Sequence, residues 1–300
     1  MIREFRAEDA AAVAALVSTH SPWLETAAGL VHRLDALPER AQAARWVAED
    51  DGEVVAWAEA EFDWSSEAEH VGQLWVLVDP AFRRRGLGSR LFETAAAYLV
   101  ARGALELRTW SFDESAPFLE RRGFERRRGE RVSAVDPRTV DTSRLEELEP
   151  GVRVVALADL LDRLPEVYAL YAEAAADMPL DHPQTNFSYE EWLEETIADP
   201  DLSQEGSALV LVNDRPVALS WVGVDLERRR AEHELTGTAR AYRRRGLARL
   251  AKLAVLRWCA EQGIERLATG NDGENTGMLA INDELGFRPD VVETEWAKRL

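Results

Sequence analysis

Residues 78–91 read VDPAFRRRGLGSRL and residues 238–251 read TARAYRRRGLARLA, so the chain states one arginine–glycine turn twice, 160 positions apart from Gly86 to Gly246. Such a repeat constrains the fold more than any composition value, because both halves must solve the same packing problem. Each turn runs into an amphipathic helix, with Leu87, Leu91, Ala95 and Tyr98 on one face in the first copy. Leu247, Leu250, Ala254 and Trp258 play that part in the second. Gly103 and Gly263, each 17 positions beyond the turn glycine, are the expected left-handed caps. ALELRTW and IERLATG then predict a strand in each half, and a short helix closed by RRGF or ELGF follows. Upstream, RWVAEDDGEVVAWAEAEF and SALVLVNDRPVALSWVGV each predict two strands around a tight turn.

Three hundred residues suit two such domains, each large enough for its own core. The expected division is a first domain over 1–140, a linker over 141–151 marked by Pro150 and Gly151, and a second domain over 152–300. The expected order in each is helix, helix, three strands, turn, long helix, strand, helix, strand.

A net charge of −19, spread over both halves, argues against a nucleic-acid partner and suits a cationic small molecule. No apolar run approaches the length of a membrane span, and MIREFRAED is charged where a secretion signal is apolar, so no membrane partner and a cytoplasmic location are expected. Cys259 is the single cysteine, which excludes a disulfide framework, and the five histidines show no H-x-x-x-H spacing; no metal site is expected.

The turn itself has a chemical meaning. A strand breaks at Pro80, and RRRGLGS opens a helix whose first N–H groups have no partner within the helix. That end of a helix attracts anions, glycines allow a pyrophosphate close to the backbone, and arginines hold outer phosphates. The pattern is neither the Walker A loop nor the dinucleotide G-x-G-x-x-G.

The succession of strand, R-x-x-G-x-G/A turn, long helix, strand and G-F-closed helix resembles the GNAT superfamily of N-acetyltransferases. Val76, Val78, Pro80, Arg83, Gly86, Gly88, Gly123 and Phe124 carry the resemblance in the first half. Arg243, Gly246, Ala248, Asn275, Gly286 and Phe287 carry it in the second, and the mycothiol synthase group has a similar tandem layout. The resemblance implies an α/β fold of two tandem GNAT-like domains, each a mixed, mostly antiparallel sheet splayed at the acyl-CoA site and flanked by helices. It implies acetyl-CoA as co-substrate and direct transfer to a primary amine of a small, cationic acceptor, by a monomer or homodimer. The donor is expected along Val76, Leu77 and Val78 and in the turn Arg83, Arg84, Arg85, Gly86, Leu87, Gly88 and Ser89. In the second half it is expected along Thr236, Gly237 and Thr238, in the turn Arg243, Arg244, Arg245, Gly246, Leu247, Ala248 and Arg249, and beside Asn271 and Asn275.

Many family members use a glutamate on the strand before the turn as base. Glu232 and Glu234 stand there in the second half, whereas Gly72 and Leu74 stand in the first. The second domain is therefore the expected catalytic one, with Glu234 the leading base, and the first is expected to bind cofactor or serve as scaffold. The tyrosine that many members use to protonate the thiolate is absent from both halves. Leu119 and Asn282 occupy its place, and Asn282 is expected to polarise the thioester carbonyl or orient a water. Cys259 reads as a core thiol. Trp23 and Trp192 lie near the expected acceptor clefts; Asp177 and Asp181 are candidates to hold a cation, and Glu190 and Glu191 read as capping residues after Ser188. The competing readings are an acyl-CoA-binding module without turnover, as pseudo-enzyme or regulator, and acetylation of an amino-sugar thiol precursor.

Overall fold

The computed structural model describes residues 1–66, 68, 70–178 and 187–300. The chain divides into two compact units, 1–130 with 291–300 and 131–290. It passes from the first into the second within one strand and returns within the last one.

The first unit opens with a short strand that the sequence reading lacks, β1 (Ile2–Glu4), then α1 (Ala10–His20) and α2 (Ala27–Ala36). The hairpin of β2 (Ala44–Asp50) and β3 (Glu53–Phe62) turns at Asp51 and Gly52, whose φ values of 48° and 85° are those of a primed turn. There follow β4 (Val71–Val78), α3 (Leu87–Ala101), β5 (Glu106–Phe112), α4 (Ala116–Glu120) and β6 (Glu125–Val135). The second unit repeats this from β7 (Val152–Ala156), again an unforeseen opening strand, through α5 (Leu164–Ala175) and α6 (Tyr189–Trp192). Next come β8 (Ala208–Val212), β9 (Arg215–Asp225), β10 (Arg230–Thr238), α7 (Leu247–Glu261), β11 (Arg266–Asp272) and α8 (Thr276–Glu284). The last strand is β12 (Arg288–Arg299).

In the first unit the sheet runs β1-β2-β3-β4-β5-β12, and in the second β7-β8-β9-β10-β11. Neighbours in these two orders run antiparallel, except β4 with β5 and β10 with β11, which are parallel. Residues Glu293–Arg299 pair with Glu106–Phe112, which puts the last ten residues in the first unit rather than the second. Sequence proximity misleads here because a strand joins the sheet whose edge it completes.

On α3 the expected residues Leu87, Leu91 and Ala95 are buried with Phe92 and Leu99. The α7 face is rotated from the expected one: Leu247 is buried, but with Ala251, Lys252, Leu253, Val255, Leu256 and Cys259, while Leu250, Ala254 and Trp258 are only partly covered. A helix packed on two sides buries a broader stripe than one face predicts. Among the described residues no helix is long and apolar enough to cross a membrane.

Candidate active site

Both sheets open at the same place. β4 pairs with β5 only over Val71–Gln73, and β10 with β11 only over Arg230–His233. Beyond those points Val76–Val78 keep their bonds to β3, and Thr236–Thr238 keep theirs to β9. The opposite edge of each strand is left available to an extended amide-bearing ligand, in the manner of an added strand. In the second unit a bulge between His233 and Thr236 starts the divergence.

The turn at the end of each opened strand has one geometry. Arg84 and Gly86 have φ of 65° and 80°, and Arg244 and Gly246 have 61° and 75°. A Cβ on Gly86 or Gly246 would meet nothing within 4 Å, so these glycines are required by their left-handed backbone and leave open space above it. No side chain caps the first turn of α3 or α7, whose N–H groups therefore face that space. Arg83 Nε donates to Val78 O and Arg243 Nε to Thr238 O, each at 3.1 Å, stapling turn to strand. The cradle thus has the donor set a pyrophosphate needs.

In the first unit the cradle ends a cleft of about 800 Å³ bordered by Val76, Leu77, Val78, Arg83, Arg84, Gly86, Gly88 and Ser89 at one end and by Trp75, Thr109 and Trp110 at the other. Its volume lies within the roughly 300–1,000 Å³ of small-molecule sites. Arg85 lies over the Phe82 ring at 4.9 Å, outside the lining.

In the second unit α5 rests against the opened strand: a Cβ on Gly237 would stand 2.4 Å from Ala174 Cβ. Asp177, considered as a cation holder, pairs with Arg240 at 2.6 Å and with Arg243, and these guanidiniums hold its carboxyl down at about 2. Arg245 lies over Tyr242 and Arg249 pairs with Glu284 at 3.3 Å.

Glu234 is exposed at the bulge, with Oε1 beside Gly223, where a Cβ would come within 2.8 Å. Glu232 is half-buried and His233 between them is buried, as strand alternation requires. Asn282 differs from expectation. It is 1% exposed, its Nδ2 donates to Asn271 Oδ1 at 2.6 Å, and its Oδ1 is buried without a partner. A group whose amide is spent on its neighbour and sealed from the cleft is poorly placed to polarise a carbonyl. Asn275 caps α8 by accepting from Met278 N at 3.2 Å.

Sequence reasoning missed four features. Tyr171 on α5 stands within electrostatic reach of Glu234, and burial first, then nearby carboxylates including Glu234, push its phenol up to about 12. It escaped notice because it comes from a different helix than the family's tyrosine. His233 Nδ1 shares a hydrogen bond with Ser220 Oγ (3.1 Å), which shares another with Thr236 Oγ1 (2.8 Å). Burial, then the Lys252 charge, keeps that imidazole well below its ordinary value and so neutral. Lys252 is itself 1% exposed, with Nζ 5.3 Å from the Phe287 ring, and burial lowers it to about 7. Finally, a group of glutamates gathers beside Trp23 in the first unit. Trp192 is core, Cys259 is buried with its thiol pushed up to about 12, and Ser188 and Glu191 form the expected capping box. Asp181 lies outside the described residues.

A strand that leaves its parallel neighbour beside a glycine-bent helix start occurs twice in the chain, as the resemblance to acyl-CoA transferases implies. Residues 12–124 match the acetyltransferase (GNAT) family model and residues 155–288 an acetyltransferase (GNAT) domain model. The chain belongs to the GNAT acetyltransferases, with two GNAT domains in tandem and acetyl-CoA as co-substrate. It is similar to a mycothiol acetyltransferase of Amycolatopsis mediterranei, 26% identical over 83% of this chain and 82% of that one. It resembles another from Corynebacterium diphtheriae, 28% identical over 73% and 72%. Its fold is that of a tandem GNAT protein from the clavulanic acid biosynthesis pathway, with a TM-score of 0.76, 18% identity and coverage of 100% and 98%. A GCN5-related N-acetyltransferase from Sphaerobacter thermophilus gives 0.70, 19%, 100% and 95%.

Proposed function

We propose that the chain transfers an acetyl group directly from acetyl-CoA to a primary amine of a small cationic molecule. The observation that supports this best is the cleft of about 800 Å³ that joins the phosphate cradle to the fork between β4 and β5. Acetyl-CoA supplies the activated acyl group; the chain supplies position and proton transfer. The turns at Arg83–Ser89 and Arg243–Arg249 would hold the pyrophosphate, and the free edges at Val76–Val78 and Thr236–Thr238 the pantetheine amides. In the second unit Glu234 is the proposed base, because it is the carboxylate of β10 at the bulge where the strands part. Acetylation of an amino-sugar thiol precursor is one instance of this class, favoured by the name its curated relatives carry.

Calorimetry tests the donor sites. The native chain should bind two equivalents of acetyl-CoA, Gly86→Asp and Gly246→Asp one each, and the double variant none. Undiminished binding by the double variant would refute the cradles. In the Gly86→Asp background, where only the second unit can load, Glu234→Gln should lower CoA-thiol release with amine acceptors about 10²–10⁴-fold. Full turnover across a pH series would remove Glu234 from the role, and donor binding without thiol release would favour a binding module.

A further inference from the structure

Beside the donor cleft of the first unit lies a second hollow, of about 320 Å³. Trp75, Thr109 and Trp110 line both, so the two share a wall at the fork where β4 leaves β5. Five glutamates face this hollow: Glu59 and Glu61 of β3, Glu130, and Glu293 and Glu295 of β12. Register explains their convergence. Glu61 is opposite Gln73 and Glu59 opposite Trp75, while Glu295 is opposite Trp110 and Glu293 opposite Phe112. One sheet face therefore carries carboxylates on β3 and β12, with β4 and β5 between them.

Most of these carboxylates have cations. Arg45 reaches Glu61 at 3.0 Å and Glu59 at 3.6 Å; Arg128 reaches Glu295 at 3.1 Å. Arg108, the cation of the lining, reaches Glu106 at 2.7 Å and Glu295 at 3.6 Å. Glu293 is different. It is 4% exposed, its Oε2 accepts from Trp23 Nε1 at 2.8 Å, and among the described residues no cation pairs with it. A carboxyl this buried on a cavity wall, with no cation beside it, carries a desolvation cost that a bound cation would offset. Tryptophans 23, 75 and 110 add ring surfaces suited to an ammonium and its methylenes.

We propose that this hollow is an acceptor site for a small amine bearing two positive charges, one meeting Glu293 and the other the Glu61 side. Two charges are required because β3 and β12 are separated by β4 and β5, which part at this fork, so the gap is at least three strand spacings, about 14 Å or more at the backbone, too far for one ammonium to serve both. The inference rests on the acetyltransferase reading, and it gives the first unit the acceptor chemistry that Leu74 on β4 does not supply. The protonation of Glu61 and Glu293 agrees. Burial, then the Glu59 charge, raises Glu61 to about 7, with Arg45 opposing and Asp63 adding to the rise. Burial raises Glu293 to about 7, with the Trp23 bond opposing and Glu130 adding. A dication would hold both ionised, so binding should expel protons and strengthen as pH rises from 6 to 8.

The test is calorimetry of the full chain with CoA present, using 1,8-diaminooctane as probe, octylamine as the single-charge control and octane-1,8-diol as the neutral one. The diamine should bind at least tenfold more tightly than octylamine, the diol should not bind, and the heat should depend on buffer ionisation. Glu293→Gln should weaken the diamine about tenfold or more and remove part of the proton release. Glu61→Gln should do the same, and serves if the first variant does not fold; Glu8→Gln, at an exposed site, should change nothing. Equal binding of diol and diamine, no diamine binding, or unchanged affinity in the Glu61 or Glu293 variants would overturn the proposal. Acetyl-CoA binding measured on the same samples separates the outcomes. If it fails, the acetyltransferase reading falls; if it persists while the diamine fails, only the acceptor hollow falls.

Discussion

Replacing Lys252 by methionine should stabilise the second unit, and by an amount that depends on pH. The ammonium sits on α7, the helix that the phosphate cradle opens, with the Phe287 ring 5.3 Å away and the neutral His233 as the titratable neighbour that senses it. Burial alone lowers it from about 10.5 to about 7. At about 1.4 kcal/mol per tenfold, that displacement costs about 5 kcal/mol when the unfolded chain holds the proton and the folded site resists it. Below about pH 7 the cost is complete. Above pH 7 the folded lysine is neutral, and the cost is that of removing the proton the unfolded chain still holds, which shrinks by about 1.4 kcal/mol per pH unit to about 2 kcal/mol near pH 9. Methionine keeps the apolar stem and removes the charge, while loss of the contact with Phe287 offsets up to about 2 kcal/mol. The variant should thus gain about 3 kcal/mol at pH 7 and almost nothing at pH 9. Urea unfolding followed by tryptophan fluorescence at pH 6.5, 7.5 and 9 measures this on the transition that the substitution moves. Parallel pH profiles for the two proteins would refute the buried-ion account, whatever the absolute gain.

Two further substitutions probe the donor regions. Gly72→Ala brings a Cβ within 2.9–3.2 Å of three Leu99 side-chain atoms in a closed core, and should cost about 1–3 kcal/mol in thermal unfolding; an unchanged melting temperature would show that Leu99 can yield. Asp177→Asn releases Arg240 and Arg243 from their carboxylate, so in the Gly86→Asp background it should tighten acetyl-CoA binding several-fold at low salt. Weaker binding would mean that Asp177 is needed to hold the arginines in place.

The duplicated turn made much of this legible from residues alone. R-R-R-G-L reads as an open helix start able to take an anion, and the left-handed caps expected at Gly103 and Gly263 have positive φ; the left-handed second arginine of both turns was not legible. The Asp51-Gly52 hairpin and the Ser188–Glu191 capping box are equally local and equally readable. What escaped was set by distance along the chain. Glu293 faces the same hollow as Glu61 only because β12 crosses back to β5, and no spacing rule connects them. Lys252 reads as a solvent residue in any polarity pattern, yet the helix buries it. Asn282 fits the family's position, but its neighbour Asn271 had already claimed its amide, a competition visible only in three dimensions.

The return of residues 291–300 to the first unit has a consequence for biosynthesis. A ribosome delivers residues 1–130 first, but the sheet they form lacks β12 until all of the second unit has been made. Domains usually complete themselves in order as they emerge. Here the amino-terminal unit must wait with the edge of β5 unpaired, an invitation to wrong partners while it lasts. The wall of glutamates and tryptophans comes into being only after the whole second unit has been made, so a chain stopped before β12 would lack Glu293 and Glu295 whatever else it had folded.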